Sequence, residues 1–149
     1  VVGPGAVAAA ATGSRRVVVL GTESTISGGA YQRALLALRP TLAVYGRACP
    51  LLVALAEEGR HTGPIVDLVI RDYLAGVVEP AGAGSPHAAE DGATVLLGCT
   101  HFPVFRRAIV AALGTAAAYV PIVDSAATTA AAVAAEFAAG RVRGAPPDG

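Results

Sequence analysis

Apolar positions along the chain fall into two kinds of run. The short kind is uninterrupted and bounded by glycine: Arg16-Val17-Val18-Val19-Leu20 ahead of Gly21, and Val95-Leu96-Leu97 ahead of Gly98. Such runs, rich in β-branched residues, predict strands covered on both faces, as in a parallel sheet. Leu42 to Tyr45 and Tyr119 to Val123 predict two more. The longer kind repeats at helical spacing. Ser27 to Leu38 carries Tyr31, Leu35 and Leu38 on one side with Pro40 as its stop, and Leu51 to Glu58 ends at Gly59. A helix from near Pro64 presents Ile65, Leu68, Val69 and Leu74 and ends before Glu79-Pro80, Val104 to Leu113 is another, and Asp124-Ser125 caps Ala126 to Ala139. Pro4 to Thr12 opens the series and Gly13 ends it. Strands alternate with helices, which predicts a three-layer α/β/α sandwich around a parallel sheet of about four strands.

Two stretches lack any period. Ala81 to Gly92, rich in Gly, Ala, Pro and Ser, reads as a surface loop, and Arg141 to Gly149 as a Pro/Gly tail. The expected organisation is one domain over residues 1–139 with a disordered tail over 140–149.

Composition narrows the classes. With 54% hydrophobic and 15% charged residues the chain is not a disordered one. Eleven basic residues balance eleven acidic ones, so no basic surface points to nucleic acid or an anionic membrane, and the expected partner is a small molecule. No apolar run approaches membrane-spanning length. Two cysteines in a neutral Ala/Val-rich chain read as reduced thiols of a cytoplasmic protein. The chain has no Lys, so it offers neither a Schiff base to pyridoxal phosphate nor a phosphate-loop lysine. It has no Met, and Val1-Val2-Gly3-Pro4-Gly5 reads as the end of a strand entering a turn, so a longer protein is expected around it.

The chemistry concentrates in Val95-Leu96-Leu97-Gly98-Cys99-Thr100-His101-Phe102-Pro103. A strand ending in glycine, followed by a helix opened by Pro103, would set the Cys99 sulfur near unpaired N–H groups and a positive helix end, both favouring thiolate. His101 is near enough to exchange a proton with it. The competing reading is a buried, inert cysteine beside an N-capping Thr100. A metal held by Cys99 and His101 ranks lower, because two further ligands at suitable spacing are missing. Cys49, ahead of an apolar helix and with no histidine near it in sequence, reads as packing. His61 and His87 read as solvent-facing, and Glu57 with Glu58 either as orienters of an imidazole or as a solvated helix end. Gly21-Thr22-Glu23-Ser24-Thr25 is a hydroxyl-rich loop at a strand's carboxyl end, where parallel α/β sheets bind ligands.

Two other patterns are weaker. Gly3-Pro4-Gly5-Ala6-Val7-Ala8 matches the G-x-G-x-x-A form of a dinucleotide fingerprint, with Glu23 near the distance of a ribose-binding acid, but a proline fixes its turn. Ser27 and Ser125 lack the G-x-S-x-G elbow of a serine hydrolase.

These segments together carry a resemblance. Gly21-Thr22-Glu23-Ser24-Thr25 with Ser27-Gly28-Gly29-Ala30-Tyr31, Ala48-Cys49-Pro50-Leu51 with Glu57-Glu58-Gly59, Leu97-Gly98-Cys99-Thr100-His101-Phe102-Pro103, and Val123-Asp124-Ser125-Ala126 follow one another over nearly the whole chain. In that order the chain resembles the C-terminal portion of the cofactor-independent aspartate/glutamate racemase superfamily, on its glutamate racemase side. The resemblance implies one lobe of a pseudo-symmetric two-lobed fold, in which each lobe offers a cysteine to one face of the substrate α-carbon. It implies Cys99 as acid/base, His101 as its assistant, Thr100 and His101 as substrate contacts, and Thr22 and Thr25 as threonines lining the site. Histidine after Cys-Thr, where relatives acting on aspartate carry Glu, favours glutamate. Cys49 matches a position outside the catalytic pair. No cofactor or metal is implied, a homodimer is open, and D-glutamate for peptidoglycan is the expected product. The Ala-Cys-Asn-Thr segment of the other lobe does not occur in the chain, so these residues alone are expected to be nearly inactive. The alternatives are another member of the superfamily (an aspartate or hydantoin racemase, a maleate isomerase) and a non-catalytic α/β ligand-binding domain.

Overall fold

Val17, Val18 and Val19 are all fully buried, which requires cover on both faces of their strand, β1 (Arg16–Gly21). The computed structural model, which describes residues 1–76 and 92–141, supplies that cover from helices on either side. β1 pairs in parallel with β2 (Ala43–Ala48) on one edge and β3 (Ala93–Leu97) on the other, and β3 pairs in parallel with β4 (Ile122–Asp124), giving the order β2-β1-β3-β4. The predicted parallel sheet of four strands is the one found.

Alternation along the strands divides the core. Val17, Val19 and Leu96 face Ala6 and Ala9 of α1 (Val2–Ala10) and Tyr31 and Leu35, with α2 (Glu23–Ser27) ahead of α3 (Ala30–Leu38). Val18, Leu20, Val95 and Leu97 face the opposite layer: Leu52 of α4 (Pro50–Glu57), Val66 and Ile70 of α5 (Pro64–Leu74), and Ile109 of α6 (Arg106–Leu113). The final helix, α7 (Ser125–Ala138), packs on α1.

Several expectations are corrected. Val1 to Gly5 is no strand end: α1 begins at Val2, and Pro4 sits in its first turn, where a missing N–H leaves no bond unmade. With Gly3 and Gly5 inside a helix, the fingerprint's strand-turn-helix context is absent too. The hydroxyl-rich stretch after β1 is not loop throughout, since Thr22 Oγ1 accepts from the Thr25 N–H at 3.1 Å and starts α2. Gly29, at φ 63°, separates α2 from α3, so the helix expected from Ser27 begins at Ala30. β2 extends through Gly46, Arg47 and Ala48, beyond the strand end expected at Tyr45. A Cβ on Gly46 would lie 2.7 Å from Ile26 Cγ2, so glycine here lets α2 close on the sheet. The helix expected from Val104 starts as a 3₁₀ turn, Phe102–Phe105, and becomes α-helical only at Arg106. A second 3₁₀ turn, Gly114–Ala118, delays β4 to Ile122. The loop at 81–92 falls outside the described residues except for Gly92, His87 falls outside them, and so does the tail from 142 onward.

Candidate active site

Register places the candidate residues along one edge of the sheet. Leu20 lies opposite Leu97, Gly21 opposite Ala48, and Leu97 opposite Asp124, so the strands end level. Thr22, Cys49 and Cys99 therefore emerge at the same carboxyl rim, the ligand-binding rim of parallel α/β sheets.

At the end of β3 the Cys99 side chain is 9% exposed, and its Sγ lies 3.5 Å from His101 Nδ1. His101 Nε2 faces Glu57 Oε1 at 4.0 Å, with the imidazole 44% and the carboxylate 65% exposed. The thiol, the ring and the carboxylate thus form a line from the core to the surface, which the expected pair of Cys99 and His101 begins. Glu57 and Glu58 are both exposed at the end of α4, as a solvated helix end would be, and Glu57 also comes within reach of the imidazole because α4 ends beside the turn after β3. The sequence holds no local sign of that contact, since it spans 44 residues of chain.

The helix-dipole argument for Cys99 is corrected. The turn that follows is four residues of 3₁₀ helix with His101 at its N-cap and no side-chain cap, so a full helix does not begin at the thiol. The capping role for Thr100 is corrected as well, because Thr100 is exposed and caps nothing. The group the sulfur meets is the imidazole. Phe102 and Phe105, both fully buried, anchor the turn so that His101 projects outward, and His61 meets the edge of Phe105 at 6.1 Å.

Thr22 and Thr25 share a hydrogen bond between their hydroxyls at 2.9 Å and are half-buried at the start of α2, just past the end of the strand that neighbours β3. Cys49 is fully buried, its thiol donates to the Arg47 carbonyl at 3.4 Å, and burial pushes it up to about 12, against the smaller lowering effect of Arg47. It stays a protonated packing residue, as its apolar surroundings predict. Cys49 and Cys99 are free thiols, separated by the width of β1, roughly 10 Å between strands two apart. That exceeds the Cα separation a disulfide tolerates.

Two buried hydroxyls near the thiol carry no hydrolase or ligand signature in the sequence. Ser125, fully buried, donates from Oγ to the Leu97 carbonyl at 2.6 Å, and Tyr31 packs its ring beside Gly98. The sequence shows Tyr31 in a helical pattern and both residues in segments that carry the resemblance, but nothing in it marks their meeting beside the thiol, where Gly5 and Gly98 make room for them. Among the described residues no three His, Cys, Asp or Glu side chains converge as metal ligands, and no helix is long and apolar enough to cross a membrane.

An α/β lobe with a thiol beside an imidazole at its strand ends is equipped for general acid/base chemistry on a small ligand. Comparison with known proteins gives that lobe its relatives. The sequence is 44% identical over 135 residues to the glutamate racemase of Geobacter metallireducens, a match covering 90% of this chain and 45% of that protein. The fold superposes on glutamate racemase isoform RacE1 of Bacillus anthracis with a TM-score of 0.76 at 30% identity, over 93% of this chain and 48% of that one. It superposes on the Francisella tularensis glutamate racemase, solved in complex with D-glutamate, with a TM-score of 0.70 at 25% identity, over 97% and 49%. No protein-family model matches the sequence. The relatives of this chain, by sequence and by fold, are thus glutamate racemases, which are isomerases. The chain spans about half the length of the curated relatives it matches.

Proposed function

We propose that residues 1–139 are the C-terminal lobe of a protein that interconverts L- and D-glutamate without a cofactor, with residues 140–149 as a tail outside the lobe. In this reading Cys99 serves one face of the α-carbon, and a cysteine of the other lobe serves the opposite face. As thiolate, one sulfur takes the α-proton, so the Cα–H bond breaks and an S–H bond forms. The opposite thiol then gives its proton to the carbanion, and the stereocentre inverts with the proton count of the pair unchanged. The reverse reaction exchanges the two roles.

His101 takes and returns the Cys99 proton through Nδ1, and Glu57 faces the positive ring that results. Thr100 and His101 reach the substrate from the turn after β3, and Thr22 and Thr25 from the neighbouring strand end. Cys49 is no candidate for the second base, because its thiol holds its proton far above neutral pH. The product serves peptidoglycan synthesis in the cytoplasm, and a homodimer is compatible with this arrangement. These residues alone hold one of two bases and racemise glutamate little or not at all.

The observation that carries the reading is the 3.5 Å contact of Cys99 and His101 at the carboxyl end of β3, in a chain whose relatives are glutamate racemases. The test is deuterium exchange from solvent into the α-position of D- and L-glutamate by the complete protein. Exchange into both enantiomers is expected, with loss of racemisation in the Cys99→Ser variant. No exchange would sink the racemase reading, and full activity without the Cys99 sulfur would sink its assignment as the base.

A further inference from the structure

The peptide that launches Cys99 is held from both sides. Its N–H, on Gly98, donates to the Leu20 carbonyl at 2.8 Å and continues the ladder between β1 and β3. Its carbonyl, on Leu97, accepts from Ser125 Oγ at 2.6 Å, a bond supplied by a buried side chain at the head of α7. Glycine at 98 makes the second hold necessary, because without a Cβ the backbone there is free to turn and the direction of the next residue's thiol is soft.

The surroundings of Ser125 are built to keep it in place. A Cβ on Gly5 would lie 3.0 Å from Ser125 Cβ, so the glycine lets α1 close over the serine. Tyr31 closes the other side: a Cβ on Gly98 would lie 3.0 Å from Tyr31 Cε2, so the ring fills the space the glycine leaves. The phenol oxygen is buried and has no hydrogen-bond partner among the described residues. Burial raises its ionisation above the ordinary value, the adjacent Ser125 hydroxyl pulls it back, and Cys99 is near enough to add to the rise. Packing alone would be met by phenylalanine, and a buried hydroxyl is kept at a cost unless it acts.

We infer that Ser125 and Tyr31 are positioning residues for Cys99: Ser125 fixes the Leu97–Gly98 peptide so that the thiol stays against His101, and Tyr31 holds Ser125 to that bond. The serine hydrogen is committed to the Leu97 carbonyl, which leaves its oxygen as the acceptor the unpartnered phenol faces, short of a hydrogen bond. The inference rests on the reading of Cys99 as the acid/base.

The test is alkylation of Cys99 by iodoacetamide across pH in the intact protein and in its Ser125→Ala and Tyr31→Phe variants. Trypsin, cutting only at Arg in this chain, leaves Cys49 and Cys99 on separate peptides, 48–60 and 72–106, for mass spectrometry. In Ser125→Ala the profile moves to the alkaline side, so that the rate at neutral pH falls about threefold to tenfold relative to its alkaline plateau as the imidazole loses its hold on the sulfur. Tyr31→Phe moves it the same way by less, and carries the test if the alanine variant does not fold. A purely structural pair would lower melting temperature and leave the profile unmoved. A reactive Cys99 with the same profile in the variants overturns the positioning role and leaves the reading of Cys99 standing. A Cys99 as inert as Cys49 in the unsubstituted protein overturns that reading, and the positioning role with it.

Discussion

His101 presents Nδ1 to Cys99 Sγ at 3.5 Å while its Nε2 faces Glu57 Oε1 at 4.0 Å, so the ends of β3 and α4 meet over one imidazole. The two contacts differ in weight. The sulfur side is nearly buried, whereas the carboxylate side is open to solvent and screened.

Removing the ring and removing the carboxylate therefore have unequal effects. On the proposed function, His101→Asn in the complete protein should lower racemisation by about 10²–10⁴, the range of a positioned acid/base group. Glu57→Gln removes an exposed pair of about 0.2–1 kcal/mol and should cost at most about fivefold. Its effect should fade in about 1 M salt, where the screening length is about 3 Å. Steady-state rates at low and high salt check both, and a Glu57→Gln loss as deep as that of His101→Asn would mean that Glu57 itself moves protons.

Cys49 predicts a pH dependence of stability. Its thiol is raised by burial from 9.0 to about 12, so in that interval the unfolded chain releases a proton that the folded chain keeps. The unfolded state then binds fewer protons, and stability falls as pH rises, by up to about 1.4 kcal/mol per pH unit. Well below 9.0 both states are protonated and Cys49 contributes no slope. Tyr31 and Tyr73, raised chiefly by burial, add to the alkaline loss. Cys49→Ala should therefore lessen the slope without abolishing it, as denaturant titrations on either side of pH 9 would measure.

What the sequence discloses and what it hides divide by range. Val17 to Leu20 and Val95 to Leu97 announce buried strands because β-branched runs of that length have few other uses. Cys99 and His101 announce a site because they are two residues apart. Gly46 reads as lying past its strand because its role is set by Ile26 and Gln32, which pack where a Cβ would stand. Thr22 to Thr25 reads as loop because hydroxyls disfavour helix interiors, and only the Thr22 cap reverses that. Glu57, Tyr31 and Ser125 reach the thiol through α4, α3 and α7, by contacts that no local pattern encodes.

Gly98 is constrained more by contact than by conformation. A Cβ there would meet Tyr31 Cε2 at 3.0 Å, and the Leu20 carbonyl oxygen and Val19 Cγ1 each at 3.1 Å. The carbonyl belongs to the ladder and cannot yield, so Gly98→Ala should destabilise by about 1–3 kcal/mol, the range of overpacked cores, and slow Cys99 alkylation as well. Gly3→Ala is the control, with nothing within 4 Å of the added carbon and a helical backbone around it. It should be neutral or stabilise by up to about 1 kcal/mol. Urea midpoints of the two variants decide.

Asp124 couples the stability of α7 to the placement of Ser125. Its Oδ1 accepts from the N–H groups of Ala126 at 2.8 Å and Ala127 at 3.1 Å, and so fixes the first turn, where Ser125 is the one buried residue of the helix. A helix so rich in alanine buries little area and leans on its cap. Asp124→Ala should cost about 0.5–2 kcal/mol, and Asp124→Asn, whose amide oxygen accepts the same bonds, should recover most of it. If the cap also holds Ser125 to the Leu97 carbonyl, Asp124→Ala will slow Cys99 alkylation at neutral pH and Asp124→Asn will not. Thermal melts and alkylation rates of the two variants measure the two effects separately, and a loss of stability with an unchanged alkylation rate would confine Asp124 to the helix.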